Sequence, residues 1–415
     1  MSNTYCPLPW NHFSADANGA MRVCCNSTAD GRLKNNNGNL IQLNSVENLV
    51  DFYNIDHLKN IRKNMIDGKR TKECDYCYLV EDNGGTSVRQ WYVKQWPMES
   101  VIGNTDLSTG ELNNVEINYL DLSWSNKCNL QCKMCTPNAS DQLIKEFKFI
   151  DNEQWSNAIE FKDRWNYDNI KPILDNTITE NLSQILVTGG EPLINNDFYN
   201  FCQMLISTGI SKQIEMSIHT NLTVTPQKWF DIWQHFKSMS IKISIDAVED
   251  VYEYIRYPGK WNIIKQNIKD TVEFSKNNNN IGIEFHTVLS IFNTEKFTDL
   301  LDYIASLSGP NVLRVPHINY IHIPEYASPS NLPTDYKTTV YNNIMKWIDT
   351  NMHMFVNDAR CMEKISTLYS VATILLQSQT TEEEEKLKSY LMIKKMDEYR
   401  KHDTLKFLPW MVDEK

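Results

Sequence analysis

The pattern of apolar and polar positions changes character twice along the chain. From about residue 115 to 325, short apolar runs bounded by turn residues alternate with segments of helical period. The runs read as strands over 116–124, 184–188, 213–219, 240–246, 282–290 and 312–323. In the fourth, Ile241, Ile243 and Ile245 recur at the period of two that sets side chains on one face of a strand, and Val288 follows a similar run in the fifth. The intervening segments 198–207, 226–237, 261–275 and 294–306 read as helices. Such alternation implies βαβ units and a parallel sheet. Six units are too few to close an eight-fold barrel, so the expected class is α/β, a partial (β/α)6 TIM-like barrel. Residues from about 152 to 174 read as an insertion between units.

The flanking regions lack this alternation. Residues 1–112 are irregular and rich in turn residues, with one helix expected over 46–65, ending before Asp67-Gly68. Residues 331–415 read as a helical extension, whose acidic run at 382–385, followed by Lys386 and Lys388, suits a solvated helix face. The expected domains are therefore 1–112, 113–330 and 331–415.

Composition narrows the function classes. A 415-residue chain that is 41% hydrophobic can bury a sizeable core, and its formal net charge of −11 argues against a general nucleic-acid binder. No apolar run approaches the roughly 20 residues of a membrane span. Met1 to Trp10 offers neither a basic start nor an apolar h-region, so a cytoplasmic location and no membrane partner are expected. Ten cysteines then need a role, because disulfides are rare in a reducing compartment whereas metal and redox chemistry is not. Eight of the ten lie in the first third of the chain.

The densest group follows the first predicted strand: Cys128-Asn129-Leu130-Gln131-Cys132-Lys133-Met134-Cys135. Three thiolates so spaced reach three corners of a cubane iron–sulfur cluster, and the fourth iron is left without a protein ligand. Four-cysteine ligation makes an electron carrier, whereas an open iron can bind and activate a substrate. A zinc knuckle, the alternative, needs a fourth local Cys or His, and none lies near the loop.

This loop resembles the CxxxCxxC motif of radical S-adenosylmethionine (SAM) enzymes, which lies after the first strand of a partial barrel. The resemblance implies that Cys128, Cys132 and Cys135 ligate a [4Fe-4S] cluster with an open iron site. Met134 stands where the family often has an aromatic residue, with its backbone near the adenine of SAM. At the end of the second predicted strand, Val187-Thr188-Gly189-Gly190-Glu191-Pro192 reads by itself as a turn ahead of a helix near Asn195. Beside the cysteine loop it resembles the family's GGE motif, in which Gly189 and Gly190 admit close backbone approach and Glu191 meets the methionyl amino group.

By resemblance to radical SAM maturases, Ser244 would contact the ribose or carboxylate of SAM. Arg256, with Asp246 also in the SAM-binding set, would pair the SAM carboxylate through its planar fork. The other reading of Arg256 is a surface ion pair with Glu249, Asp250 or Glu253. Thr220 and Asn221 stand where the family often has Thr-Asn-Gly, with Leu222 replacing the glycine. Val288 and Leu289 either flank the adenine or belong to the barrel core. All of these fall at the C-terminal ends of predicted strands, the face on which barrel enzymes carry their sites.

The N-terminal cysteines resemble a second module of the same enzymes. Cys6, twelve residues, Gly19, four residues and Cys24 are followed by Cys74-Asp75-Tyr76-Cys77, within a stretch from Gly68-Lys69 to Glu81. This is similar to the twitch (shortened SPASM) module, and implies an auxiliary [4Fe-4S] cluster held by Cys6, Cys24, Cys74 and Cys77, with Cys25 in place of Cys24 as the open alternative. In most relatives this module follows the barrel; here it precedes it. That order resembles a branch with an N-terminal twitch module, as does Met396-Asp397-Glu398-Tyr399-Arg400 near the C-terminus. Cys202 reads as a core thiol. Cys361 reads as another, or as a hydrogen-atom donor; no other catalytic residue is assigned. His317, His322, Arg314 and Glu325, on or after the sixth strand, are candidates to line a substrate pocket, although alternation lets only some of them face inward.

The resemblance implies reductive cleavage of SAM to a 5′-deoxyadenosyl radical that abstracts a substrate hydrogen atom. It implies peptide modification, by crosslink or epimerisation, with oxidation of a small polyol or amino-sugar as the alternative. A flavodoxin- or ferredoxin-like donor would be the electron partner. From another class, the chain would be a non-catalytic iron–sulfur or zinc protein.

Overall fold

A computed structural model describes residues 3–27, 31–82, 85–150, 167–379 and 381–411. Eight strands are present: β1 (His12–Ala15), β2 (Met21–Arg22), β3 (Tyr119–Ser123), β4 (Gln184–Thr188), β5 (Glu215–Thr220), β6 (Ser238–Ser244), β7 (Ile281–Leu289) and β8 (His317–Tyr320). Their order is β2-β1-β3-β4-β5-β6-β7-β8, parallel at every register given except between β1 and β2. The fold is thus α/β with a parallel sheet and a helical C-terminal region, as a partial barrel requires.

The six expected strands are β3 to β8. The N-terminal pair was not anticipated. β1 is four residues long and buried throughout, so it carries no alternation, yet it pairs parallel with β3, His12 opposite Tyr119. The expected strand over 312–323 shrinks to His317–Tyr320. Pro316 has no N–H to give a ladder, and Val312 makes only an isolated bridge to Ile283.

The contacts divide the chain into two compact units. One takes in Met1–Ser125, Phe161–Gly189 and Asn196–Ser217; the other takes in Asn126–Glu160, Gly190–Asn195 and Ile218–Lys415. In the first, the helix expected over 46–65 is two helices, Leu49–Tyr53 and Asp56–Ile66. Asn48 caps the first by accepting from Asp51 N at 3.1 Å. Asn54 ends it: its amide is bound on both sides to the backbone of Leu112, at 2.8 and 2.9 Å, a stronger claim on this residue than another helical turn. Of the expected insertion over 152–174, residues 152–166 lie outside the described residues, and the remainder opens the helix Tyr167–Thr177.

In the second unit the strands sort their side chains by face. On β6, Met239, Ile241 and Ile243 are buried while Ser240, Lys242 and Ser244 are half-buried; β7 repeats the pattern with Ile283 and Phe285 against Glu284, His286 and Val288. One face packs apolar side chains, each contributing about 1.5–3 kcal/mol. The other carries polar groups. Helices Thr334–Asn351, Ala359–Gln377 and Glu383–Arg400 form the C-terminal region. Glu382 to Glu385 are exposed, whereas the far end of that last helix buries Met396, Asp397 and Arg400. Among the described residues no helix is long and apolar enough to cross a membrane.

Candidate functional site

The loop after β3 is held by its own backbone and by three neighbouring polar side chains. Cys128 N donates to Asp141 Oδ1 at 3.1 Å, Ser140 Oγ donates to Leu130 O at 2.6 Å, and Asn126 Nδ2 donates to Pro137 O at 2.9 Å. Cys135 N closes a turn onto Cys132 O at 3.0 Å. The three cysteines come together. Burial, then the Cys132 sulfur, pushes the Cys128 thiol up to about 12; burial, then Cys132 and Cys128, pushes Cys135 up. Three half-buried thiols on one loop, their ionisation opposed chiefly by burial, are chemically suited to a cation that stabilises thiolates. Among the described residues no group of three or more His, Cys, Asp or Glu is set to hold a single metal ion.

Two donors from beyond the loop reach these sulfurs. Asn221 Nδ2 lies 3.9 Å from Cys128 Sγ, and Arg256 Nη1 lies 4.0 Å from Cys132 Sγ. Arg256 is buried at the end of the helix Glu249–Ile255 and pairs with Asp246 (Nε to Oδ2 2.7 Å, Nη2 to Oδ2 2.6 Å), not with Glu249, Asp250 or Glu253. Asp246 also accepts from Val288 N at 3.1 Å, which ties β6 to β7 at this end.

Glu191 lies beside the same loop. Its N–H donates to Lys127 O at 2.9 Å. Its carboxylate accepts from Thr220 Oγ1 (2.7 Å), Asn221 N (2.6 Å) and Leu193 N (3.0 Å). Only 2% of the residue is exposed, and among the described residues no cation pairs with it. Burial therefore raises the carboxyl to about 7, against these hydrogen bonds and the more distant Arg256, which act to lower it. Of about four lone-pair sites three are used. A buried carboxylate with one acceptor site left over fits an ammonium group. Gly189 and Gly190 leave no room for a side chain: a Cβ would lie 2.4 Å from Ser125 O and 2.1 Å from Lys127 O.

At Leu222 the chain departs from the Thr-Asn-Gly pattern but keeps its backbone. Leu222 has φ 51°, the left-handed conformation that glycine adopts freely, and is fully buried. Thr220 Oγ1 accepts from Leu222 N at 2.9 Å, which supports the strained residue. Ser244 ends β6 on the polar face, and Met134 is half-buried in the loop. Leu289 is fully buried on the apolar face of β7, while Val288 shares the polar face with His286. Strand alternation separates these two neighbours.

Elements far apart in sequence also meet the loop. Lys133, fully buried, donates to Asp397 and sits 4.3 Å over the Tyr254 ring. Arg400 pairs with Glu146 through two 2.8 Å bonds, both side chains fully buried. The sequence had marked Met396 to Arg400 as a motif without giving its partner, because the Lys133–Asp397 pair spans 264 residues. His219 and His286 were not anticipated. With His317 they form a row of rings on the polar face, centroids 4.8 and 4.9 Å apart, and burial lowers His317 to about 4. Polar residues at alternate positions of otherwise apolar strands were the available signal. Of the other pocket candidates, His322 and Glu325 are exposed, and Arg314 donates to Met354 O at 3.2 Å. Cys361 is fully buried, and the charges acting on it are those of Asp358 and Arg314. Cys202 is fully buried in the helix Asn196–Ser207.

In the first unit, Cys6, Cys24, Cys25, Cys74 and Cys77 line one small pocket, with Arg89 and Tyr92 on its wall. Beyond desolvation, the largest influences on the half-buried Cys24 are Cys6 and Cys74, whereas Cys25 is exposed and the largest charge acting on it is that of Asp121. Arg89 donates to Tyr5 O at 2.6 Å and is paired with Glu81, so it is fixed at the cavity.

Comparison with known proteins agrees with this geometry. Residues 122–304 match the model of the Radical SAM superfamily. The chain is similar to the GTP 3′,8-cyclase of Campylobacter lari, 29% identical over 45% of this chain and 52% of the relative. It is also similar to that of a Sulfurovum species, at 24% over 45% and 51%. The chain thus spans about half the length of these curated relatives. Solved structures with partial likeness include anSMEcpe with bound AdoMet and a peptide, at 14% identity, 56% and 60% coverage and TM-score 0.34. Another is Streptococcus suis SuiB bound to precursor peptide SuiA, at 12%, 75% and 67%, and TM-score 0.38. The ligand loop, the Gly-Gly-Glu turn and Arg256 all lie within residues 122–304, the span that matches this family model.

Proposed function

We propose that this chain is a radical SAM enzyme that modifies a peptide by a net oxidation, with an auxiliary [4Fe-4S] cluster as a second one-electron site. The observation that carries the first part is the joining of Cys128, Cys132 and Cys135 with a buried, cation-free Glu191 through Asn221, which reaches both Cys128 Sγ and the Glu191 carboxylate. When bound, the [4Fe-4S] cluster and SAM together supply one-electron cleavage of the sulfonium to methionine and a 5′-deoxyadenosyl radical, which takes a substrate hydrogen atom. The residues of the chain hold and orient. Cys128, Cys132 and Cys135 are the ligands, and Glu191 takes the amino group of SAM. Gly189 and Gly190 let backbone carbonyls and ligand approach, and Thr220, Asn221 and Leu222 fix the Glu191 carboxylate. Arg256, braced by Asp246, offers its remaining N–H groups to the SAM carboxylate and keeps positive charge beside Cys132. Ser244, Val288 and the backbone at Met134 line the nucleoside side.

The substrate reading rests on the five-cysteine cavity. Cys6, Cys24, Cys74 and Cys77 act on one another there, which supports them as four ligands with Cys24 as the fourth, and leaves Cys25 to Asp121. Full cysteine ligation makes an electron-transfer cluster. A crosslink or dehydrogenation leaves an electron to be removed after hydrogen abstraction, whereas epimerisation does not, so the second site favours the former. Oxidation of a polyol or amino-sugar has the same electron count and is the second reading. Co-expression with candidate precursor peptides tests this. A mass loss of two hydrogens in the peptide supports it. Unmodified peptides, with a sugar or polyol oxidised instead, select the alternative.

A further inference from the structure

Three members of the motif Met396 to Arg400 meet the ligand loop or the segment that follows it. Asp397 accepts from Lys133, the Tyr399 ring lies 5.3 Å from that of Phe149, and Arg400 pairs with Glu146. Asp397 does more than pair. Its buried carboxylate also accepts from Tyr254 Oη at 2.9 Å and from Thr404 Oγ1 at 2.8 Å. Lys133 belongs to the ligand loop and Tyr254 to the stretch that leads into Arg256, so one carboxylate joins the two. Main-chain bonds join them again. Lys133 N donates to Ile255 O at 2.9 Å, and Gln131 N donates to Tyr257 O at 2.6 Å. These two bonds bracket Cys132 on one side and Arg256 on the other, and Arg256 Nη1 lies 4.0 Å from Cys132 Sγ. From a third element, Tyr326 Oη donates to the Lys133 carbonyl at 2.9 Å. A buried ammonium and carboxylate carry a desolvation cost that apolar side chains of the same volume avoid. They supply a fixed length and direction, which apolar packing lacks.

We propose that Asp397 is a positioning residue for SAM: by holding Lys133 of the ligand loop and Tyr254 of the Arg256 stretch on one carboxylate, it sets the spacing of Cys132 and Arg256, and with it the place of the SAM carboxylate. The inference rests on the reading that Cys128, Cys132 and Cys135 hold the SAM-binding cluster and that Arg256 meets the SAM carboxylate. Asp397 acts through Lys133 and Tyr254. Its loss loosens the Arg256 stretch against the loop, while the loop keeps its own ties to Asp141, Ser140 and Asn126. Iron content and SAM affinity therefore separate.

The test compares the anaerobically reconstituted full chain with three variants: Tyr254→Phe, Asp397→Asn, and Lys133→Met combined with Asp397→Leu. Iron content, thermal midpoint and SAM affinity by calorimetry are read for each. Tyr254→Phe removes one hydroxyl and keeps the ring. Asp397→Asn leaves the Lys133 ammonium buried without its counter-charge, so its midpoint should fall. The double substitution removes the buried pair whole, a replacement that is often neutral for folding, so its midpoint should return toward that of wild type. In all three, iron should stay at the wild-type level. SAM should bind roughly tenfold more weakly to Asp397→Asn and to the double variant, and severalfold more weakly to Tyr254→Phe. In a chain already carrying Arg256→Met and Asp246→Leu, adding Asp397→Asn should weaken SAM no further, because both changes act at one point. Wild-type SAM affinity in the double variant overturns the proposal and leaves Asp397 a structural ion pair. Weaker SAM binding accompanied by loss of iron also overturns it, because the contact then holds the cluster rather than Arg256. Absence of iron, or of SAM binding, in the unaltered chain overturns the reading beneath it, and this inference with it.

Discussion

Replacing Glu191 by glutamine separates a carboxylate that serves a ligand from one that serves the fold. The side chain keeps its shape and loses its charge. In the folded protein, burial raises the carboxyl from 4.5 to about 7. Because the folded value lies above the unfolded one, the native state holds the proton longer, and stability falls as pH rises from about 4.5 to about 7. At about 1.4 kcal/mol per pH unit this amounts to about 3 kcal/mol, absent in the glutamine variant. The substituted amide would still leave one backbone donor facing its NH2 group where Asn221 N now meets Oε2, a loss of about 1–3 kcal/mol at every pH. The two effects differ in pH dependence, which is what the assay reads. Thermal midpoints of SAM-free protein between pH 4.5 and 8.5 should show wild type losing roughly 3–7 °C relative to Glu191→Gln as pH rises. An ammonium placed on Glu191 reverses this. SAM should stabilise wild type most at pH 8, and should bind Glu191→Gln roughly 10- to 150-fold more weakly, the range for a hydrogen bond to a charged group. A flat difference across this pH range, with equal SAM affinity, would refute the assignment of Glu191 to the ammonium and the burial argument together.

Further outcomes follow from other contacts. Gly190→Ala would put a Cβ 2.1 Å from Lys127 O, a backbone atom of the ligand loop, so SAM affinity measured by calorimetry should drop at least about tenfold while the first unit's melting is unchanged. Arg256→Met leaves Asp246 charged and buried without its partner, so the midpoint of urea unfolding should reveal a loss of about 3–5 kcal/mol, largely recovered by adding Asp246→Leu. Cys24→Ser should lower iron content by up to about four per chain whereas Cys25→Ser should not, with the reverse result assigning Cys25 as the ligand. Leu222→Gly removes the left-handed strain and also a fully buried side chain; cavity loss of about 2–5 kcal/mol outweighs the roughly 1 kcal/mol of relief, so its melting temperature should fall.

Much of the candidate site could be proposed from the sequence because its residues sit close together along the chain and at or just after strand ends. Cys128 to Cys135 form one loop, Gly189 to Glu191 directly follow β4, Thr220 and Ser244 end β5 and β6, and Asn221 follows β5. The period of two in β6 and β7 placed those strands to within two residues. What could not be read was whatever depends on a distant partner. Asp246 was expected beside SAM, yet its immediate partner is Arg256, which the local acids Glu249, Asp250 and Glu253 had seemed equally fit to take. Nothing in the sequence near Lys133 marks it as buried, because its partner Asp397 lies 264 residues on. β1 carried no alternation because both its faces are buried. The helix expected over 46–65 failed for the same kind of reason, since Leu112, far along the chain, takes the Asn54 side chain.

The central claim is that Cys128, Cys132 and Cys135 hold a cluster that cleaves SAM. Its most direct test is iron and sulfide analysis after anaerobic reconstitution, with 5′-deoxyadenosine measured under dithionite and SAM, on wild type and on the Cys128/Cys132/Cys135→Ala variant. About eight irons falling to about four, together with loss of 5′-deoxyadenosine, is the predicted result. Zinc in place of iron, or iron and 5′-deoxyadenosine unaffected by removal of the three cysteines, would contradict it.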